Sequence, residues 1–405
     1  MNKHIKTFLC VLTTAVMTFT VVGCSKSNGT SGKTGKTLTV WSHFNQSEVT
    51  EIDKLAQEWA KKTGNKVKVL VDNSDFQAFK TAAQSSKGPD VMFGIAHDNL
   101  ATFQQAGLLD EVPSGVLDES KYANKQVLDA LTWDGKKYGF PIAMETYALF
   151  YNKDKVKEAP KTTDELIDMA KQNGGFQYDI NNFYYSYAWI SGEGGYVFKK
   201  TNGSYDKNDT GLGSASAVKA YDFIQSLTQK DKFMNGDIKG DDAKASFINK
   251  KTAFYISGAW DVEAIQKAGI NFGVANLPTI DGNTAKPFMG VQAGFVNAKS
   301  KSKTEAWDLV KYLIENSAEP LIKTGHRIPV LTDALNSDAA KNDVTVSAFS
   351  AQTKDAEIMP NISAMAAIWT PVGNNLQLLT QGKQTPQQTA DNIAKQVKEG
   401  IAQQK

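Results

Sequence analysis

Aromatic side chains and carboxylates are the residues of this chain best suited to holding a ligand. Phe, Trp and Tyr make up 10% of the 405 residues, and the run from Phe183 to Trp189 is too dense for one buried helix face. Trp59 and Trp307 lie on apolar helical stripes, so we expect them in the core, whereas Trp260 and Trp369 lie outside such stripes and are candidate ligand contacts. Flat aromatic rings cover the apolar faces of a sugar. Carboxylates and amides accept hydrogen bonds from its hydroxyl groups.

Motifs for catalysis are missing from the sequence. His43, His97 and His326 are far apart, with no His-x-x-x-His spacing and no thiolate partner, so we expect no metal site and no cofactor. There is no Gly-x-Ser-x-Gly elbow and no phosphate-binding loop. Asp98 and Glu145 could in principle hydrolyse a glycoside, so a surface glycosidase stays open as an alternative. We favour the interpretation that these acids bind hydroxyl groups and that the chain is not an enzyme.

The charge balance narrows the class of ligand. The formal net charge is +2, and residues 1–23 contain Lys3 and Lys6 but no acid, so the remaining chain is neutral. This balance favours neither nucleic acid nor an anionic lipid surface as a partner. Arg327 is the only arginine, so the chain has few groups that could bind the carboxylate or phosphate of an anionic ligand through two parallel hydrogen bonds. A neutral ligand fits better.

The amino-terminal segment has the features of an export signal. Lys3 and Lys6 precede an uncharged apolar run that is shorter than the roughly 20 residues of a spanning helix, so residues 1–23 are predicted to be a signal peptide. Cys24 follows a small residue, as in the bacterial lipoprotein box, which predicts cleavage before Cys24 and acylation of its sulfur. The alternative is an ordinary signal peptide with an incidental cysteine. Residues 24–36 are predicted to be a flexible tether at the outer face of the cytoplasmic membrane.

The elements that must position these residues follow an α/β pattern. Residues 37–41 predict a strand, apolar residues at helical spacing predict a helix ending at Gly64, and residues 67–71 alternate as a second strand. This β-α-β unit implies a parallel sheet with a right-handed crossover. Similar elements recur to the end of the chain, without one clean boundary. About 380 residues are enough for two domains, so we expect two lobes that the chain crosses more than once.

Several blocks of sequence resemble one family. They are Gly88-Pro89-Asp90-Val91-Met92-Phe93 with Ala96-His97-Asp98, Phe140-Pro141-Ile142-Ala143-Met144-Glu145, Lys286-Pro287-Phe288-Met289-Gly290-Val291, and Glu357-Ile358-Met359-Pro360-Asn361 with Trp369. In this order they resemble the maltose/maltodextrin-binding proteins, extracytoplasmic receptors of ABC sugar importers. The match runs from about Thr37 to the last predicted helix.

The resemblance implies a two-lobed α/β fold of the periplasmic-binding-protein type, with the ligand in a cleft that closes by hinge motion. The expected N-terminal lobe comprises residues 37–144 and 293–338, and the C-terminal lobe comprises 145–292 and 339–405. By resemblance, Asp98 and Glu145 bind sugar hydroxyls, and Tyr184, Trp260 and Trp369 stack on sugar rings. Asn182 stands where the family has an acid.

Three further positions depart from the family pattern. Asn99 and Gly373 replace basic residues, and an aromatic residue is missing near Gly94. The resemblance therefore predicts a monomeric, lipid-anchored receptor that captures maltose or maltodextrins and delivers them to the permease subunits of an ABC transporter. A receptor for another neutral oligosaccharide, such as a galactoside or a cyclodextrin, is the alternative binding function.

Overall fold

The computed structural model describes residues 35–404, except residues 75 and 86. The predicted signal peptide, Cys24 and most of the predicted tether lie outside the described residues. Within the described ranges, no helix has both the length and the apolar composition needed to cross a membrane.

The described residues form strands and helices that alternate along the chain. The strands are β1 (Thr37–Ser42), β2 (Lys66–Val71), β3 (Val91–Ala96), β4 (Thr132–Trp133), β5 (Lys136–Lys137), β6 (Phe140–Glu145), β7 (Tyr147–Asn152), β8 (Phe176–Gln177), β9 (Lys199–Thr201), β10 (Ser204–Asp206), β11 (Phe254–Gly258), β12 (Phe272–Ala275), β13 (Phe288–Val296), β14 (Ile328–Pro329) and β15 (Glu357–Ile358). The helices are α1 (Gln46–Thr63), α2 (Phe76–Ala83), α3 (Leu100–Gln105), α4 (Lys125–Asp129), α5 (Thr163–Asn173), α6 (Phe183–Gly192), α7 (Ala215–Gln229), α8 (Gly240–Ile248), α9 (Val262–Lys267), α10 (Lys303–Gly325), α11 (Thr332–Leu335), α12 (Asp338–Asn342), α13 (Val344–Gln352), α14 (Trp369–Thr380) and α15 (Pro386–Gln403).

The first sheet has the order β14-β6-β13-β3-β1-β2, and β15 pairs with the start of β13. β1 pairs in parallel with β2 and β3, whereas β13 is antiparallel to β3 and β6. The predicted β-α-β unit is confirmed: α1 buries Val49, Ile52, Ala56 and Trp59, and it ends at Gly64, whose φ of 74° suits a residue without a Cβ. This sheet positions the ends of β1, β3 and β6 at one edge.

The second sheet has the order β12-β7-β11-β8, with β7 antiparallel to both of its neighbours. All five residues of β11 are buried. Helices α6, α7, α14 and α15 pack together beside this sheet. In α15, the last helix, Ile393, Val397 and Ile401 form a buried apolar face.

The chain passes between the two sheets several times. Thr146 alone separates β6 of the first sheet from β7 of the second. The chain returns through β13, whose nine residues are all buried, and crosses again to α13, which packs on β12 and β7. The fold is therefore the two-lobed α/β arrangement that the sequence predicts, with several crossing segments.

The expectation for the aromatic run was wrong in most of its members. Phe183, Tyr187 and Trp189 are at most 2% exposed because α6 is enclosed by α7, α14 and β13. A helix enclosed on several sides is apolar all round, so density of aromatic residues alone did not indicate a ligand surface here. Tyr184 is the residue of this run that reaches the site described below. Trp59 and Trp307 are buried, as predicted.

Candidate ligand-binding site

One cavity brings together residues from both sheets. Its volume is about 480 Å³, and it is lined by Ala96, Asp98, Asn99, Glu145, Tyr184, Trp260, Met359 and Trp369. Asp98 and Asn99 follow β3, and Glu145 ends β6, so these groups come from the first sheet. Trp260 follows β11 of the second sheet. Five of the six predicted sugar-contacting residues therefore lie around one space, and their contact with a ligand stays a prediction.

The Trp260 indole owes its position to a glycine. It lies over the end of β11, where a Cβ on Gly258 would be 2.1 Å from the indole ring. No other residue could occupy position 258 without moving the ring. Tyr184 stands beside it, with ring centroids 6.2 Å apart and planes inclined by 53°. These two rings form one aromatic wall of the cavity.

Trp369 and Tyr184 are fixed by buried rings behind them. Trp369 begins α14 and packs edge-on against Phe183 at 5.7 Å and Phe288 at 6.0 Å. Tyr147 supports Tyr184 at 4.9 Å. The Tyr184 hydroxyl is buried and has no hydrogen-bond partner within the described part of the chain. Because a buried hydroxyl without a partner is costly, this group is suited to bonding a ligand.

Glu145 is held by a buried ion-pair network. Arg327 donates to Glu145 at 2.9 Å and donates two further hydrogen bonds to Glu48, at 2.7 and 3.1 Å. The Glu48 side chain is fully buried, and it also accepts from the backbone N–H of Asn45. Burial raises the pKa of Glu145, and Arg327 opposes that rise. The arginine thus stabilises a carboxylate at the cavity wall.

Asp98 has a different environment from Glu145. Its side-chain partner is the amide of Asn99, 3.0 Å away, and no cation lies among the residues that line the cavity beside it. Burial, and then the nearby charge of Glu145, raise the pKa of Asp98 to about 7. At neutral pH this carboxyl can therefore accept or donate a hydrogen bond.

His97 lies behind the cavity, where it connects Met359 of the cavity lining to β13, and it does not line the cavity itself. It is fully buried, with Nε2 2.8 Å from the Met359 carbonyl and Nδ1 accepting from the Val291 backbone at 3.0 Å. Burial lowers the pKa of His97 to about 4, so the ring is neutral with its proton on Nε2. This arrangement fixes Met359 and the adjacent Asp98.

Two hydrogen bonds cross the edge of the cavity between the sheets. Asn45, which follows β1, donates to the Trp260 carbonyl at 3.1 Å. Ser47 donates to Glu263 of α9 at 2.9 Å. These contacts hold the start of α1, with Asn45 before it, against Trp260 and α9, so the described conformation is one in which the two sides of the cleft touch.

The remaining predicted positions have local structural roles. Asn182 is exposed and absent from the cavity lining; it caps α6 by accepting from the Tyr184 backbone. Gly94 has a φ of 98°, and a Cβ there would be 2.9 Å from the Phe44 ring. The Phe44 ring therefore packs directly against the backbone at Gly94, near the position where this chain lacks the aromatic residue of the family. Gly373 faces the Asn181 carbonyl, where a Cβ would be 3.4 Å away.

Sequence reasoning missed the residues that support the acids. Arg327 was interpreted only as evidence against an anionic ligand, and Glu48 was not singled out. The pattern Asn45-x-x-Glu48 at a helix start is a capping signal that could have drawn attention to Glu48. Its pairing with a residue 279 positions away has no local signal. Among the described residues, no group of three or more potential metal ligands is present.

A cleft between two α/β halves, lined by aromatic rings and acids, defines a two-lobed solute-binding protein. The chain belongs to the bacterial extracellular solute-binding protein family, whose model matches residues 54–348. Members of this family are extracellular, so the location of the chain is extracytoplasmic. The predicted resemblance and fold are confirmed at this level.

Individual relatives match nearly the whole chain. The galactooligosaccharide-binding protein of Bacillus subtilis (strain 168) is 31% identical over 95% of this chain and 94% of its own length. The maltooligosaccharide ABC transporter solute-binding lipoprotein of Streptococcus pneumoniae (strain ATCC BAA-255 / R6) is 29% identical over 99% of both chains. A solved structure, the maltose-maltodextrin binding protein of the thermoacidophilic bacterium Alicyclobacillus acidocaldarius, is 39% identical with a TM-score of 0.86, covering 89% of this chain and 100% of that one.

Proposed function

We propose that this chain is a lipid-anchored receptor that captures maltose and maltodextrins and delivers them to the permease of an ABC transporter. The observation that carries the proposal is the cavity in which two indoles, one unpartnered phenol and two acids meet. The indoles match the apolar faces of glucose units, and the acids and the Tyr184 hydroxyl match the hydroxyl rim.

The cavity chemistry supports a neutral ligand. Neither lysine nor arginine lines it in the described structure, and Arg327 is already paired with Glu48 and Glu145 behind the wall. A ligand carboxylate or phosphate would face Glu145 without a free cation. Hydroxyl groups can instead donate to Glu145 and either donate to or accept from Asp98.

Closure of the cleft is the proposed mechanism of capture. A ligand favours the closed form only by making better contacts there than in the open form. Trp260 after β11, together with the rings of α6 and α14, can contact the same sugar as the acids of the first sheet only when the two sides approach. The proposed lobes are 37–144 with 293–338, and 145–292 with 339–405. Most strands of the two sheets are distributed in agreement with this division, but β13 spans the limit at 292/293, and β15 of the second proposed lobe pairs with β13 in the first sheet.

The anchor and the partners belong to the same proposal. Cleavage before Cys24 and acylation of its sulfur would tether the receptor to the outer face of the membrane. The S. pneumoniae relative, described as a lipoprotein of an ABC transporter, supports both the anchor and the permease partner. The receptor acts as a monomer and performs no catalysis. The ion pair with Arg327 supports a binding role for Glu145.

A second candidate ligand is a galactooligosaccharide. The B. subtilis relative with this specificity in its name is as similar to the chain as the maltooligosaccharide relative is. Both ligands are neutral oligosaccharides and would use the same rings and acids. The orientation of the hydroxyl at C4 distinguishes glucose from galactose units, so the choice rests on which hydroxyls face Asp98 and Glu145.

Calorimetric titration with matched sugars tests the proposal. We expect saturable heat with maltotriose and little with a galactotriose, together with a raised melting temperature, because a ligand that binds only the folded state stabilises it. The reverse preference would establish the second candidate. Release of glucose or maltose during prolonged incubation, abolished by Glu145→Gln, would establish a glycosidase instead.

A further inference from the structure

We propose that one edge of the first sheet binds the anionic phospholipid surface to which the receptor is tethered. Six exposed lysines gather at this edge, which we call the lysine edge. They are Lys36, Lys61, Lys66, Lys87, Lys299 and Lys301. The zero net charge of the chain after the signal peptide hides this uneven distribution. The inference rests on the proposed anchor at Cys24 and does not depend on which sugar is bound.

Backbone contacts place these lysines side by side. The Lys66 N–H donates to the Lys36 carbonyl at 2.8 Å, where β1 and β2 begin. Lys61 lies in the last turn of α1, which ends at the same edge. Asn297 donates to the carbonyl of Pro89 at 3.0 Å, which brings the segments carrying Lys87 and Lys299 together. The amino ends of three parallel strands thus present one basic surface.

The lysine charges at this edge are available to a partner. None of the six forms an ion pair with a carboxylate within the described part of the chain, whereas Lys303, which lies beside Lys301 at the start of α10, pairs with Asp110, and Lys121 and Lys125 elsewhere pair with Glu315 and Asp129. Asp90, Asp308, Glu58 and Glu305 also lie at this edge; neutral hydrogen-bond donors do not cancel a carboxylate charge, but the six unpaired lysines outnumber these four acids. Asp90 accepts from Ser300 at 2.6 Å and Asp308 accepts from the Trp59 indole at 2.7 Å; Glu58 accepts from Tyr312 at 3.2 Å.

The segment that would connect this edge to the membrane is also basic. Residues 24–36 contain Lys26, Lys33 and Lys36 and no acid. They enter the fold at Lys36, which is itself part of the lysine edge. Twelve residue steps separate Cys24 from Lys36, so the chain between them can span at most about 40 Å. The acyl anchor would therefore keep the lysine edge near the bilayer, where a short tether gives a high effective concentration.

Electrostatics favour contact at this distance and in this orientation. Each lysine close to an anionic membrane increases association by roughly fivefold, and the attraction extends over a screening length of about 8 Å at physiological ionic strength. Phosphate groups of the lipids match lysine ammonium groups as point charges. The cleft lies at the opposite, carboxyl ends of β1 and β3. In this orientation the cleft faces away from the bilayer, so the inference applies to the receptor between deliveries, and the lysine edge must leave the lipid surface before the cleft can meet the permease.

Energy transfer on vesicles tests the proposal with the acylated protein. Gln84 is exposed and follows α2 at the same edge, so a dye on Gln84→Cys would report the distance from this edge to acceptor lipids. The protein is anchored in vesicles of neutral phosphatidylcholine alone or with phosphatidylglycerol. We expect higher transfer on the anionic vesicles, and loss of that difference in high salt.

Two matched variants distinguish an effect of the lysine edge on membrane contact from an effect of the overall charge of the protein. Lys61→Gln, Lys66→Gln, Lys87→Gln and Lys299→Gln together should abolish the difference between the vesicles. The control carries Lys157→Gln, Lys230→Gln, Lys251→Gln and Lys341→Gln, which are also exposed and unpaired within the described residues but lie elsewhere, and should retain it. Both should bind sugar like the parent.

The outcomes distinguish this inference from the proposed anchor. Equal transfer on both vesicles, with mass spectrometry showing an acylated Cys24, would overturn the inference and leave the anchor intact. An unmodified Cys24 and failure to attach to either vesicle would overturn the anchor and the inference together. Equal loss of the difference in both lysine variants would show that overall charge, and not this edge, is responsible, and would also overturn the inference.

Discussion

Arg327 and Glu145 are joined by a hydrogen-bonded ion pair of 2.9 Å although 182 residues separate them in the chain. The same guanidinium is bound to Glu48, at the first turn of α1. One cation therefore connects an acid of the cleft wall to the helix that follows β1. The shape of the cleft on this side therefore depends on Arg327 and Glu48, which do not line the cavity themselves.

Removal of Arg327 should destabilise the fold. Arg327→Met leaves two buried carboxylates without a cation, and breaking a buried pair in this way costs roughly 3–5 kcal/mol. Urea denaturation should show this as a lower free energy of unfolding. Adding Glu48→Gln and Glu145→Gln removes both orphaned charges and should restore much of the loss. If the triple variant is no more stable than Arg327→Met, the charges are not the cause.

Asp98 should make stability depend on pH. Its folded-state pKa is raised, so the protonated form stabilises the fold at low pH, and that contribution is lost as pH rises from about 4 through about 7. Between pH 5 and pH 8, the stability of Asp98→Asn relative to the parent should therefore increase by roughly 1–3 kcal/mol. Denaturation at both pH values measures this difference. The exposed Asp134→Asn is the control, and a matching pH trend there would contradict the assignment.

The two cleft indoles should each contribute to sugar affinity. Trp260→Ala and Trp369→Ala should weaken maltotriose binding by roughly 1–3 kcal/mol each, by analogy with other aromatic stacking contacts. Titration calorimetry measures the loss. Trp41→Ala is the comparison, because Trp41 packs on Phe79 in the first sheet, outside the cavity lining. Unchanged affinity in both cleft variants, with Trp41→Ala equally unaffected, would show that the cavity is not the sugar site.

The hydrogen bond between Ser47 and Glu263 should favour the closed cleft. Ser47→Ala removes a bond of 2.9 Å that joins the two sides, which is worth roughly 0.5–1.5 kcal/mol. We expect sugar affinity to fall by a few-fold and solution scattering to show a larger radius of gyration without sugar. Ser226→Ala serves as the control, since that hydroxyl bonds to Phe223 within its own helix. A variant with unchanged scattering and affinity would remove Ser47 from the closure mechanism.

Local sequence patterns predicted the fold well where a pattern has one structural meaning. Alternating valines gave β2, and apolar residues at helical spacing gave α1 with its end at Gly64. The aromatic run of α6 was misinterpreted because a helix enclosed on several sides shows no polar face. Enclosure of this kind depends on elements far along the chain, which periodicity cannot show.

The residues that line the candidate site could be predicted from the sequence, but the residues that hold them in place could not. Asp98, Glu145, Tyr184, Trp260 and Trp369 were found from residue type and family resemblance, and the cavity lining contains all of them. The ion pair of Arg327 with Glu48, and the packing of Trp260 over Gly258, depend on tertiary geometry. Such contacts leave no spacing signal in the sequence.

The repeated passage of the chain between the sheets has a practical consequence for dissecting this molecule. β13 and α10 are made late in the chain yet complete the half that β1 begins, and α13 to α15 complete the other. Neither half is a continuous stretch of the gene. No single truncation from either terminus therefore isolates one half, which must instead be assembled by circular permutation or by rejoining separated segments.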